Sequence, residues 1–158
     1  MIAGPTEAAF LLALAATAHN VEEMIWLPSF PHPPALRWDV SPRAFRFAAA
    51  AITLVFWAAA LALASGVPTL EPVVAGFALA VIVNAFLPHL ALTVILRRYH
   101  PGTASGLLLV VPAALLYLVT VDASQRIGDP AFLAWAAAGA AGLAAAVPLL
   151  LALGRRLG

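Results

Sequence analysis

The 158-residue chain contains no cysteine and no lysine. The first absence rules out disulfides, thiolate metal sites, iron–sulfur clusters and a cysteine nucleophile, so any metal must be held by nitrogen and oxygen. Charge of either sign is scarce as well. Charged residues make up 9% of the chain, against about 25% in a soluble domain. The net charge is +1, and the eight basic residues, all arginine, are spread over several loops. No basic stripe forms, so nucleic-acid binding is not expected.

What remains is apolar. Hydrophobic residues make up 64% of the chain and mean hydropathy is +1.01. Several runs exceed the roughly 18 residues that mark a membrane span. The expected fold is all-α, a single integral membrane bundle of five transmembrane helices at about 6–27, 41–65, 71–99, 103–122 and 130–153. Prolines punctuate the pattern: Pro28 and Pro31 stop the first helix, while Pro42, Pro72 and Pro130 stand where a first helical turn tolerates them. Glu7 and the lack of a basic residue before Phe10 argue against a cleaved signal peptide. Helix five, rich in Ala, Gly and Leu with Gly139 and Gly142, is a packing helix.

Arginine placement predicts orientation. Five spans put Arg37, Arg43, Arg46, Arg97, Arg98, Arg155 and Arg156 on one side, and Arg126 on the other between Asp122 and Asp129. The N-terminus is therefore expected outside and the C-terminus in the cytoplasm, with Trp26 and Trp38 as interfacial anchors.

The chemistry lies in His19-Asn20-Val21-Glu22-Glu23. Positions i, i+3 and i+4 share a helix face, so His19, Glu22 and Glu23 project from one stripe. Ionisable groups at membrane depth cost several kcal/mol each and need a compensating cation, shared protons or a wet cavity. His19 lies eight residues before Leu27, and His89 eight before Arg97. Both should therefore sit roughly 12 Å from the same interface. Pro88 cannot bond the carbonyl of Asn84, so helix three should kink beside His89. Asn84 itself can orient a ligand, donate to a substrate or bond helices together. Thr53 and Thr93 are expected to bond their own helix backbone. His32 and His100 fall in loops and are expected to be solvated, with the alternative that His100 reaches down as a fourth ligand, since a loop residue at a helix end can cap a site. Tyr99 can meet a lipid headgroup or simply end the helix.

At these residues the chain resembles the HXXEE-domain family. The motif stands as His19 to Glu23, and Asn84…His89 with Arg98-Tyr99-His100-Pro101-Gly102-Thr103 looks like that family's second block. The resemblance implies a small polytopic membrane protein with a functional polar centre and no established reaction. The functional expectation is a metal-dependent membrane enzyme. Its ligands would be His19, Glu23 and His89, with Glu22 as a second ligand or general base and Asn84, Tyr99 and His100 around the substrate. Two histidines and a carboxylate suit zinc or iron, for hydrolysis or oxidation of a lipid-like substrate. A proton- or cation-coupled transporter and a non-catalytic assembly subunit are the alternatives.

Overall fold

The structure, a computed structural model, describes residues 4–31, 33 and 40–157. His32, Arg37 and Trp38 lie outside them. Every regular element among the described residues is helical.

Helix α1 (Pro5–Trp26) opens with proline in its first turn and Glu7 near its positive end. It runs on through Met24, Ile25 and Trp26, so the two acids at 22 and 23 lie inside the helix. A single tighter turn, Leu27–Ser29, then closes it. Helix α2 (Pro42–Ala64) is capped by Ser41, whose Oγ accepts from the Ala44 amide at 3.2 Å. Helix α3 (Pro68–Leu96) is followed by α4 (Thr103–Thr120) and α5 (Pro130–Arg156). Asp129 caps α5 by accepting from the Ala131 amide at 2.9 Å. The observed ends differ from the expected ones by a few residues. The differences reach three residues, at both ends of α3 and at the end of α5; α3 stops at Leu96, where Arg97 turns into the left-handed region at φ 49°.

The kink expected at Pro88 is present. Leu87 leaves helical geometry (φ −128°, ψ 101°), the Leu87–Pro88 peptide is cis, and the surrounding turns Ala85–Leu90 are wider than α-helical. Helix α4 also starts with wider turns, over Gly106–Val110.

Helices α1 and α2 pack side by side, as do α3 and α5, and α4 closes against α1 and α3. Small residues set the closest approach: a Cβ on Gly76 of α3 would lie 2.7 Å from the Ala140 amide nitrogen of α5. One core joins all five helices through Leu12, Phe56, Ala78, Ala114, Tyr117 and Leu143. Meanwhile Leu54, Leu108, Val119 and Leu149 point outward, each at least two-thirds exposed. Such an apolar exterior suits hydrocarbon better than water.

Helices α2 to α5 are each long and apolar enough to cross a membrane, which suggests a membrane protein. Helix α1 falls outside that group, and it is the helix that carries His19, Asn20, Glu22 and Glu23.

Candidate metal centre

The two histidines expected at matched depth do converge. The His19 and His89 rings meet edge to face with centroids 4.9 Å apart. Glu23, one turn beyond His19, places Oε1 3.1 Å from His89 Nε2 and 3.9 Å from His19 Nε2. One ligand atom from each of the three residues lies within 4.8 Å of the others. Both histidines are almost wholly buried, and the Glu23 side chain is 14% exposed.

The kink in α3 explains how His89 gets there. With the helix broken at Leu87, the ring turns toward α1, and Asn84 on the preceding turn faces the same point. The Asn84 amide nitrogen is 3.1 Å from His89 Nε2 and 3.5 Å from His19 Nε2.

The far sides of both rings are anchored. His19 Nδ1 lies 3.0 Å from Ser105 Oγ at the start of α4, and His89 Nδ1 lies 2.8 Å from the Pro101 carbonyl. A carbonyl only accepts, so His89 Nδ1 holds the proton. The Nε2 of a His89 without a second proton is then an acceptor, within reach of the Asn84 amide and facing a Glu23 oxygen 3.1 Å away. Two acceptors that close need a positive charge between them, from a proton or a metal ion. A tetrahedral ion with bonds of about 2.0–2.1 Å sets its ligands roughly 3.3 Å apart. The contacts of 3.1 and 3.9 Å bracket that spacing, so the donor set fits a divalent ion.

The segment between α3 and α4 roofs the cluster. Thr93 and Thr103 share a hydrogen bond of 2.7 Å, Thr93 Oγ1 accepts from the His100 amide at 3.0 Å, and the Thr103 hydroxyl donates to the His100 carbonyl at 2.7 Å. Gly102, at φ +90°, lies directly over the rings: a Cβ there would stand 2.6 Å from His89 and 2.9 Å from His19. Only glycine fits both the backbone conformation and the space.

Several expectations change here. Glu22 shares the stripe with His19 and Glu23 but is not among the convergent ligand atoms. Its Oε1 accepts from the Tyr99 hydroxyl and, at 2.9 Å, from the Gly102 amide, so it ties the roof to α1. Tyr99 is thus more than a helix terminus. Removal of its hydroxyl from solvent, then the Glu22 carboxylate, push its phenol above the usual range and keep it a donor. His100, expected to be solvated, is buried: its ring lies edge to face with Phe30 and tilted against His89, with Nδ1 3.0 Å from the Pro101 carbonyl. It sits behind His89, on the side away from Glu23. Thr93 braces the roof rather than its own helix, whereas Thr53 does donate to its own helix, to Ala49 at 2.9 Å.

Ser105 is not singled out by the sequence, and Thr103 only as the last residue of the family's second block. The available signal was two hydroxyl residues at the head of an otherwise apolar segment. Asn20, inside the motif, donates to Thr53 at 2.8 Å and so fixes α1 to α2.

The fold and site define a class: a helical protein with membrane-like helices and a buried His/Glu group that could hold a metal. Within that class, the chain belongs to the family described as "Protein of unknown function with HXXEE motif", whose model matches residues 10–117. That span contains the whole cluster and its roof. The chain is also 33% identical over 108 residues to "Uncharacterized protein YrkK" of Bacillus subtilis (strain 168), covering 66% of this chain and 68% of that protein. No solved structure matches it.

Proposed function

We propose that this protein is a metal-dependent membrane enzyme whose centre, held by His19, Glu23 and His89, opens toward the cytoplasmic leaflet and acts on a lipid-like substrate. The carrying observation is the 3.1 Å approach of His89 Nε2 to Glu23 Oε1, on a ring whose Nδ1 proton goes to Pro101. A proton or a metal ion would satisfy that pair, and the convergence of His19 on the same point favours the metal. In this reading α1 is a fifth span, its polar residues turned inward, with the N-terminus outside and the C-terminus in the cytoplasm.

A bound zinc ion would supply Lewis acidity for hydrolysis, and iron would supply redox chemistry for oxidation. The chain's own residues do the rest. Ser105 and Pro101 orient the two rings, as partners of metal-bound histidines generally do. Glu22, linked to Tyr99, is the group placed to handle a proton beside the centre. Substrate would approach from the surrounding lipid.

An enzyme is favoured over a transporter by where polar groups sit. The cluster and its roof occupy one end of the bundle, and the ion pair of Glu71 with Arg126 the other. Between them lies apolar packing from Leu12, Ala16, Phe56, Ala78 and Ala114. The test is metal analysis of detergent-purified protein reconstituted with zinc or with iron, beside His19→Ala and Glu23→Ala. Retention of metal by the wild type and its loss from both variants is expected. A wild type that retains neither metal refutes the reading.

A further inference from the structure

We infer that Asn84 is the fourth ligand of the centre, through its side-chain amide oxygen; this rests on the metal reading above. Four polar atoms face one point. Glu23 Oε1 stands 3.1 Å from His89 Nε2 and 3.9 Å from His19 Nε2. The terminal amide atom of Asn84 stands 3.1 Å and 3.5 Å from the same two nitrogens. The amide therefore holds a corner equivalent to that of the carboxylate oxygen. Three of the four spacings lie within about 0.2 Å of the roughly 3.3 Å edge of a tetrahedral site, and the fourth is 3.9 Å.

The amide has two orientations that swap nitrogen for oxygen with little change in shape. With nitrogen inward, it donates to the lone pairs of the two rings. With a cation between the rings, those lone pairs are taken up by the ion and the NH2 group loses its acceptors. The oxygen-inward orientation then becomes the favourable one, and it adds a neutral donor. The result is a set of two imidazole nitrogens, one carboxylate oxygen and one amide oxygen. With no sulfur donor, such a set selects zinc, iron(II), manganese or cobalt(II) over copper(I).

Position in the chain supports the assignment. Asn84 is the last residue before the wide turns at Ala85–Leu90, and Pro88, four residues on, offers its carbonyl no amide partner. The local break leaves the Asn84 side chain beside His89 instead of a turn away along a regular helix.

The test titrates detergent-solubilised full-length protein with Zn2+ and with Co2+, comparing wild type, Asn84→Ala and Asn84→Asp. If Asn84 is a ligand, Asn84→Ala weakens binding by about 10-fold or more and alters the visible Co2+ spectrum. Asn84→Asp retains an oxygen donor and adds a charge, so it binds Zn2+ at least as tightly as wild type. A hydrogen-bonding role alone leaves the Co2+ spectrum of Asn84→Ala, or of Asn84→Ser should the alanine variant not fold, matching wild type. That match, or weaker Zn2+ binding by Asn84→Asp, overturns the assignment. Failure of the underlying reading is distinguishable, because the wild type itself would then bind neither ion.

Discussion

His89 and Glu23 face each other across 3.1 Å from two different helices, with the far nitrogen of the imidazole committed to the Pro101 carbonyl. The Asn84 amide reaches the same Nε2 at 3.1 Å, but the two facing acceptors still need a shared positive charge between them. Glu23→Gln tests this. The amide can donate to Nε2 where the carboxylate cannot, so metal-free Glu23→Gln should be at least as thermally stable as metal-free wild type. Its metal affinity should nevertheless fall by 10-fold or more, about 1.4 kcal/mol per factor of ten. Equal zinc affinities in the two proteins would remove Glu23 from the ligand set.

Ser105 is expected to act only through His19, whose Nδ1 it meets at 3.0 Å. Removing such an orienting partner typically costs 10- to 100-fold in metal affinity. Ser105→Ala should therefore bind zinc more weakly by about that factor. Ser105→Thr, which keeps the hydroxyl, should recover most of the loss. Calorimetric titration of both variants would check it.

Gly102 and Gly66 form a matched pair. Both have positive φ, +90° and +82°, but a Cβ at Gly66 meets nothing within 4 Å while one at Gly102 strikes the His89 and His19 rings. Gly66→Ala should pay only the left-handed backbone cost, about 1–2 kcal/mol. Gly102→Ala adds steric displacement of the rings, so it should melt lower and lose its metal. Thermal melts with and without zinc separate the two effects. A Gly102→Ala protein that still takes up zinc like wild type would mean the roof does not constrain the rings.

At the opposite end, Arg126 pairs with Glu71 at 3.1 Å and lies over the Phe132 ring. Both charged side chains are partly exposed, so the ion pair is worth about 1 kcal/mol or less. Arg126→Gln should lower the melting temperature slightly and leave metal affinity unchanged. A change in zinc affinity would reveal coupling between the two ends that the intervening apolar packing does not predict.

The absence of cysteine makes orientation directly measurable. Single substitutions Ser65→Cys, Gly128→Cys and Leu157→Cys fall in exposed positions at or beyond helix ends. An impermeant maleimide applied to intact cells should label the first two and spare the third. The reverse pattern would invert the proposed topology.

Much of the architecture was legible because membrane helices are written in composition and punctuation. The starts of α2 and α5 follow Ser41-Pro42 and Asp129-Pro130, and both caps form as those residue types dictate. The stripe of His19, Glu22 and Glu23 follows from helical periodicity, and the break at Pro88 from a missing amide hydrogen. The His100 environment was not legible: a loop residue's burial depends on where the loop folds, and this one folds back over the site. Nor was the division of labour between the two adjacent acids. Glu22 and Glu23 differ by about 100° around α1, and only the placement of neighbouring helices gives one to the histidines and the other to Tyr99 and Gly102.

The sequence by itself determined that no thiolate could serve, that apolar helices dominate, and that ionisable groups interrupt the first of them, since composition and local periodicity are properties of the chain alone. The tertiary structure decided which atoms meet. It turned His89 toward α1 through the break at Leu87–Pro88, brought Ser105 from α4 to His19, and set Asn84 opposite both rings. Those contacts join residues up to 86 positions apart. Their geometry comes from small residues that let helices approach closely and from one glycine that lets the roof close, neither of which local pattern can locate in space.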